Sequence, residues 1–279
     1  MMNVARIKKN AGKGASWIIK ALIGIAFISP LIVGVLFSFQ SDNELGMYPL
    51  KLISENPTLE NYIAVFQKVP LLTYLKNSFV MCVIAITSQI ILATLAAYGF
   101  VFFDFPGKNL LFTLILSTMM IPGEVVVITN FITIQNMGLT NSYLGLVLPS
   151  MISGTAVFLM RQYFMTLPRD YKEAATIDGC GDMRFLFQVA LPLSVPTVAS
   201  LAVYLFVQIY NQFFWPLLVT DTAEWRTVQI GISFLVTGDI VSYGRILAGA
   251  TIAIIPSVLV YIFGQDYIIK GMTSGGIKG

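Results

Sequence analysis

The chain has 279 residues, 56% of them hydrophobic and only 11% charged, with a net charge of +3 and a mean hydropathy of +0.79. A soluble domain carries about 25% charged residues, so lipid must be the solvent for most of this chain, and so small a net charge does not suggest nucleic-acid binding. With no histidine and two distant cysteines, it lacks the commonest acid–base group and cannot build a thiolate metal site, which argues against an intramembrane hydrolase of the usual kinds.

A helix rising about 1.5 Å per residue needs roughly 20 residues to cross a hydrocarbon core of about 30 Å. Six apolar runs reach that scale, at 17–39, 77–103, 110–134, 143–160, 193–219 and 246–269. They are continuous rather than alternating, so they read as helices and not as barrel strands. Basic residues Arg6, Lys8, Lys9 and Lys13 precede the first run. That run is too long for a signal peptide, and "FSFQSDNELG" after it offers no small-x-small cleavage site, so it reads as a retained helix. Lys20 near its start can snorkel to the interface. The segment 40–73 is acidic and polar, with Asp42, Glu44, Glu55 and Glu60. It either receives an extracytoplasmic binding protein or covers the bundle.

The second run holds Cys82, while Cys180 falls in a later loop, so no disulfide is expected. In the third run Glu124 follows Pro122-Gly123. A carboxylate at bilayer depth costs about 2.5–3.5 kcal/mol, which turns it toward the bundle or an interface, either as a path residue or as a hydrogen-bonder at a helix break. Asn130 lies nearly two turns further along.

Between the fourth and fifth runs stands a loop over 161–192, far longer than the usual 2–8 residues. Within it "PRDYKEAATID" is rich in helix formers, begins at Pro168 and stops at Gly179, a good left-handed cap. Asp182 is expected to cap a second helix, "MRFLFQVA". Ala174, Ala175 and Ile177 give the first helix a small apolar surface beside Lys172 and Glu173. Such a helix suits either a receiving groove on another protein or the headgroup layer.

The fifth run carries Tyr204, Gln208, Asn211 and Trp215 at i, i+4, i+7 and i+11, which places amides and aromatics on one helical face. Aromatic faces stacked on sugar rings with amides bonding hydroxyls would suit a neutral polyol path. The same residues could instead form an interfacial belt and glue between helices. With the N-terminus cytoplasmic, twelve Lys and Arg fall on inside segments and five on outside ones, a bias that supports both termini inside.

The spacing of Glu173-Ala174-Ala175, Gly179, Val189 and Leu191-Pro192 resembles the "EAA" signature of the membrane subunits of bacterial ABC importers, with Val189 where isoleucine is usual. "MMIPGEVVVITNF", "MGLTNSYLGLVLP", "YNQFFWPLLVT" and "DYIIKGMTSGGIKG" extend the likeness from about the second helix to the end. They are similar to the second permease of carbohydrate-type importers, the group of the maltose and glycerol-phosphate systems. A departure is Thr129-Asn130, where many relatives carry Ile-Pro; the local bend is expected to differ there.

The resemblance implies an all-α integral membrane protein with six transmembrane helices, the type I ABC importer permease fold and a cytoplasmic coupling helix. It divides the chain into a cytoplasmic segment 1–16, a permease domain 17–270 and a tail 271–279, which in some relatives reaches the ATPase. It implies ATPase-coupling roles for Glu173, Ala174, Ala175, Asp178, Gly179, Arg184, Leu191 and Pro192. The candidate solute path is Glu124, Asn130, Gln208, Asn211 and Trp215. The chain has no G-x-x-x-x-G-K-[ST] loop, so ATP and magnesium are expected on a partner. The expected assembly is a second homologous permease, two copies of a cytoplasmic ATPase and a solute-binding protein, in the inner membrane, importing an oligosaccharide or related polyol. A phosphorylated polyol such as glycerol 3-phosphate is the alternative solute. A transporter driven by an ion gradient, or a membrane scaffold, is the alternative class. The scarcity of intramembrane acids and the lack of a visible inverted repeat weigh against the gradient.

Overall fold

The structure, a computed structural model, describes residues 2–236 and 241–273, and side chains within residues 16–268. The described elements are all helical. In chain order the helices used below are α1 (Met2–Ser38), α2 (Glu60–Lys68), α3 (Leu71–Phe102), α4 (Lys108–Thr118), α5 (Gly123–Asn136), α6 (Tyr143–Val147), α7 (Gly154–Phe164), α8 (Arg169–Ile177), α9 (Val195–Tyr210), α10 (Phe214–Val219), α11 (Val228–Ser233) and α12 (Tyr243–Thr273).

Three unbroken stretches are long and apolar enough to cross a membrane: Ser16–Ser38, Leu71–Phe102 and Tyr243–Ile268. Three further crossings are bent pairs, Lys108–Thr118 with Gly123–Asn136 at 94°, Tyr143–Ser150 with Gly154–Phe164 at 52°, and Asp182–Leu193 with Val195–Tyr210 at 74°. With each pair counted once there are six spans, as the hydropathy pattern predicts. The breaks have a common chemistry. Pro122 precedes α5, Pro149 lies in the tight turn Leu148–Ser150, and Pro196 opens α9. Proline removes an N–H and disfavours helical geometry in the residue before it. Yet Pro30 and Pro256 sit inside long helices without ending them. At the break before α7 the chain also supplies a capped start, the Ser153 hydroxyl accepting from the Ala156 N–H at 3.2 Å.

One expectation is corrected. The fifth run is not one helix over 193–219: α9 ends at Tyr210, and α10 begins afresh at Phe214. In the third run α5 passes unbroken through Thr129 and Asn130, and the break falls at residues 119–122, beside Pro122-Gly123. Residues 274–279, most of the expected tail, lie outside the described residues.

The chain falls into two compact units, Met1–Val69 with Ile232–Ile252, and Pro70–Gly231 with Ala253–Gly279. In the first, the end of α1 is tied to α2: the Ser38 and Tyr62 hydroxyls share a hydrogen bond of 2.6 Å, and the buried Asn61 amide donates to the Ser38 and Gln40 carbonyls at 2.9 and 2.7 Å. Beyond them the Glu44 carboxylate accepts from the Ser54 hydroxyl at 2.6 Å and from the Glu55 N–H at 3.3 Å.

In the second unit α3 is the central post, packed against α7 and α9. Ala85, Ala93 and Ala97 on α3 and Ala156 and Met160 on α7 are buried. Small residues let backbones approach where lipid offers no hydrophobic drive between helices. The buried Asn77 of α3 donates to the Glu224 and Arg226 carbonyls at 2.7 and 3.0 Å and accepts from the Tyr143 hydroxyl at 2.8 Å. One amide thus fastens segment 221–227 and α6 to the post.

Candidate functional site

The loop after α7 presents α8 with little support from the rest of the chain. Pro168, at φ −57° and ψ 136°, precedes its first residue, where the missing N–H costs nothing. Its other end is closed by paired bonds: the Gly179 N–H donates to the Thr176 carbonyl at 3.1 Å and the Cys180 N–H to the Ala175 carbonyl at 2.8 Å. This cap requires a left-handed residue, and Gly179 supplies it at φ 73°. A side-chain carbon added there would meet nothing within 4 Å, so the demand is conformational alone. No residue of α8 is buried. Glu173, Ala174 and Asp178 are exposed, Ala175 is half-buried, and Ile177 is 87% exposed.

After the turn the chain winds through Asp182–Phe185, a π-helical stretch Leu186–Ala190, and Leu191–Leu193. Phe185, Leu186 and Ala190 are buried, Leu191 is half-buried, and Arg184 and Pro192 are exposed. Arg184 Nε donates to Gln188 Oε1 at 3.0 Å. Asp182 does not cap this helix: Gly181 holds the cap position, and Asp182 is the first helical residue. Its carboxylate is instead taken by Lys172 of α8. The Lys172 ammonium also donates to the Tyr98 hydroxyl at 3.3 Å and stands 4.9 Å from the centre of the Phe185 ring. Tyr98, only 2% exposed, donates in turn to the Asp182 carbonyl at 3.0 Å. Desolvation pulls the lysine's pKa down, but the hydrogen bonds from Lys172 to Asp182 and Tyr98 outweigh it and hold the ammonium above its usual value.

The polar face of the fifth span is interrupted at α9's end. Tyr204 and Gln208 are exposed along α9, and Asn211 is exposed just beyond it. The Asn211 amide donates to the Val207 carbonyl at 2.9 Å and accepts from Gln229 Nε2 of α11 at 3.2 Å. Trp215 stands on α10, across the break, with its indole N–H donating to the Leu146 carbonyl at 3.0 Å. Glu124 is exposed in the first turn of α5, and Asn130 is half-buried further along it. Because α10 packs on α5, the helix of Trp215 adjoins the helix of Glu124 and Asn130. The sequence reading missed Gln229, Lys172, Asp182 and Tyr98 as partners in these arrangements. Their only sequence signal is polarity within or beside apolar runs. Among the described residues no group of three His, Cys, Asp or Glu side chains could hold a metal ion.

Up to six apolar spans, with amides among them and one short helix none of whose residues is buried, fit a membrane permease. Residues 89–274 match the family described as binding-protein-dependent transport system inner membrane component, and the chain belongs to that family. It is 34% identical to the arabinooligosaccharides transport system permease protein AraQ of Halalkalibacterium halodurans, over 98% of this chain and 100% of the relative. It is 36% identical to the sn-glycerol-3-phosphate transport system permease protein UgpE of Yersinia pestis bv. Antiqua, over 91% of this chain and 94% of the relative. The fold matches a chain in the crystal structure of a bacterial ABC transporter involved in the import of the acidic polysaccharide alginate, with a TM-score of 0.81 at 20% identity, covering 91% of this chain and 95% of that one. The chain is therefore a multi-pass inner-membrane permease component of an ABC import system.

Proposed function

We propose that this chain forms half of the path of an ATP-driven importer for an oligosaccharide or related polyol, and that α8 is its coupling helix, docked in a cleft of a separate ATPase. The observation that carries the docking is the bareness of α8: no buried residue, an isoleucine 87% exposed, and a rigid cap at Gly179. A carboxylate and small residues on one short helix suit a groove rimmed with Arg or Lys. Glu173 holds the dock electrostatically, and Ala174 and Ala175 allow close contact. Asp178, Gly179, Arg184, Leu191 and Pro192 shape the turn and the return into the fifth span. Closure of the ATPase dimer then moves α8 and switches the cavity between inward- and outward-facing states.

The full assembly is this permease, a homologous second one, two copies of the ATPase holding ATP and magnesium, and an extracytoplasmic binding protein, with both termini of this chain cytoplasmic. The charge bias of twelve against five supports that orientation. Gln208 and Asn211 at the exposed polar face, with Trp215 on the helix that packs on α5, which carries Glu124 and Asn130, suit a hydroxyl-rich solute. The names of the AraQ relatives support an oligosaccharide. The name of the UgpE relatives favours a second reading, sn-glycerol 3-phosphate, in which a cation on the partner permease or binding protein meets the phosphate. The test is a pull-down from membranes expressing the chain with its genomic neighbours. An ATPase with a phosphate-binding loop that comes with wild type and is lost with Gly179→Trp supports the dock. No ATPase with either overturns it.

A further inference from the structure

The loop contains a second device besides the docking face. Lys172 lies one residue before Glu173, yet its side chain points back into its own protein, where it meets the Asp182 carboxylate, the Tyr98 hydroxyl and the Phe185 ring. These groups come from three elements: α8, the short helix Asp182–Phe185 and the central post α3. An exposed ion pair alone holds little. Here the lysine side chain is only 21% exposed, and the tyrosine beneath it is buried and anchored by its own hydrogen bond to the Asp182 carbonyl. Since no α8 residue is buried, apolar packing does little to fix the angle at which α8 leaves the bundle. The polar contacts of Lys172 tie its exposed helix to the post.

We infer that Lys172, Asp182 and Tyr98 form a latch that holds α8 in a fixed orientation to α3, so that displacement of the docked helix reaches the spans without being dissipated in the loop. These are positioning residues: they touch neither solute nor nucleotide. The inference rests on the reading of α8 as the ATPase dock. Breaking the latch leaves docking intact but loosens the transmission, so ATP is spent without transport.

The test uses the complete importer in lipid, scoring ATPase co-purification and ATP hydrolysed per solute imported. Lys172→Met and Asp182→Asn each keep the ATPase and raise the ratio about fivefold, the low end of a site-to-site coupling. The double variant shows the same increase as each single one, as expected for partners in one contact. Lys172→Arg keeps the wild-type ratio. A wild-type ratio in both single variants overturns the latch, and so does a double variant whose effects multiply. If the single variants lose the ATPase, the latch is also overturned, because the contact then builds the dock itself. If wild type brings no ATPase, the docking reading fails and takes the latch with it. A second measurement is independent of turnover. A nitroxide on Cys180, with Cys82→Ser and partner subunits free of accessible cysteine, is restrained in wild type and mobile in Lys172→Met. Equal spectra overturn the latch.

Discussion

Two glycines show how different the demands on one residue type can be. A side-chain carbon at Gly145 would stand 2.2 Å from the Leu139 carbonyl oxygen, a backbone atom that cannot swing aside. Gly145→Ala is expected to lower stability by about 1–3 kcal/mol through overpacking, read as a lower Tm of the purified chain. Gly179→Ala meets no atom and suffers only the left-handed backbone, about 1–2 kcal/mol confined to the end of α8. Its global Tm should stay near wild type while ATPase association weakens. The need for Gly179 was legible in the sequence because helix formers ran up to it. The pairing of Lys172 with Asp182 was not. They are ten residues apart, Tyr98 is 74 from Lys172, and no helical or strand period brings such positions together. Asp182 instead looked like an ordinary cap, whereas Gly181 takes the cap position and the Asp182 carboxylate meets Lys172.

At the scale of elements, hydropathy located every span but saw none of the bends. Apolar content reports how many residues lipid will accept, whereas a bend follows from a proline or a π-helical stretch such as Leu186–Ala190, which hydropathy does not weigh. Pro30 and Pro256 failed to break helices, while the 94° bend before α5 and the 74° bend before α9 both came with a proline at the start of the next helix. The split between α9 and α10 has a functional cost for the sequence reading, since it removes Trp215 from the regular face shared by Tyr204 and Gln208. The segment after α1 makes a prediction at this scale. Hydrogen bonding from the Ser54 hydroxyl is the largest cause that holds the Glu44 pKa below its ordinary value of 4.5. A lowered carboxylate pKa stabilises above the ordinary value and loses that contribution as pH falls through the lowered one. Residues 44–56 should therefore exchange amide hydrogens faster, relative to intrinsic rates, below about pH 4 than at neutral pH. Glu44→Gln should show the faster exchange already at pH 7.

For the whole molecule the relevant quantity is transport. Amides that remain exposed on spans must face a partner helix or a watery path, because lipid does not satisfy them. If Gln208, Asn211 and Trp215 border that path, Asn211→Ala with Trp215→Ala should lower uptake about tenfold, a loss of about 1.4 kcal/mol. The ATPase should remain bound. Normal uptake would remove the fifth span from the solute's route. Reporter fusions at both ends should read as cytoplasmic if the charge bias sets orientation.

The stretch Ser16–Ser38 has one further consequence. Only 6% of its most apolar window is buried within the protein, against 33% for Leu71–Phe102. At 23 residues and a mean hydropathy of 2.4, the stretch is apolar enough by itself to settle in a bilayer. Anchorage of this stretch thus asks for apolar length and not for particular side chains, and replacing it with an unrelated apolar helix of equal length should spare insertion of the rest.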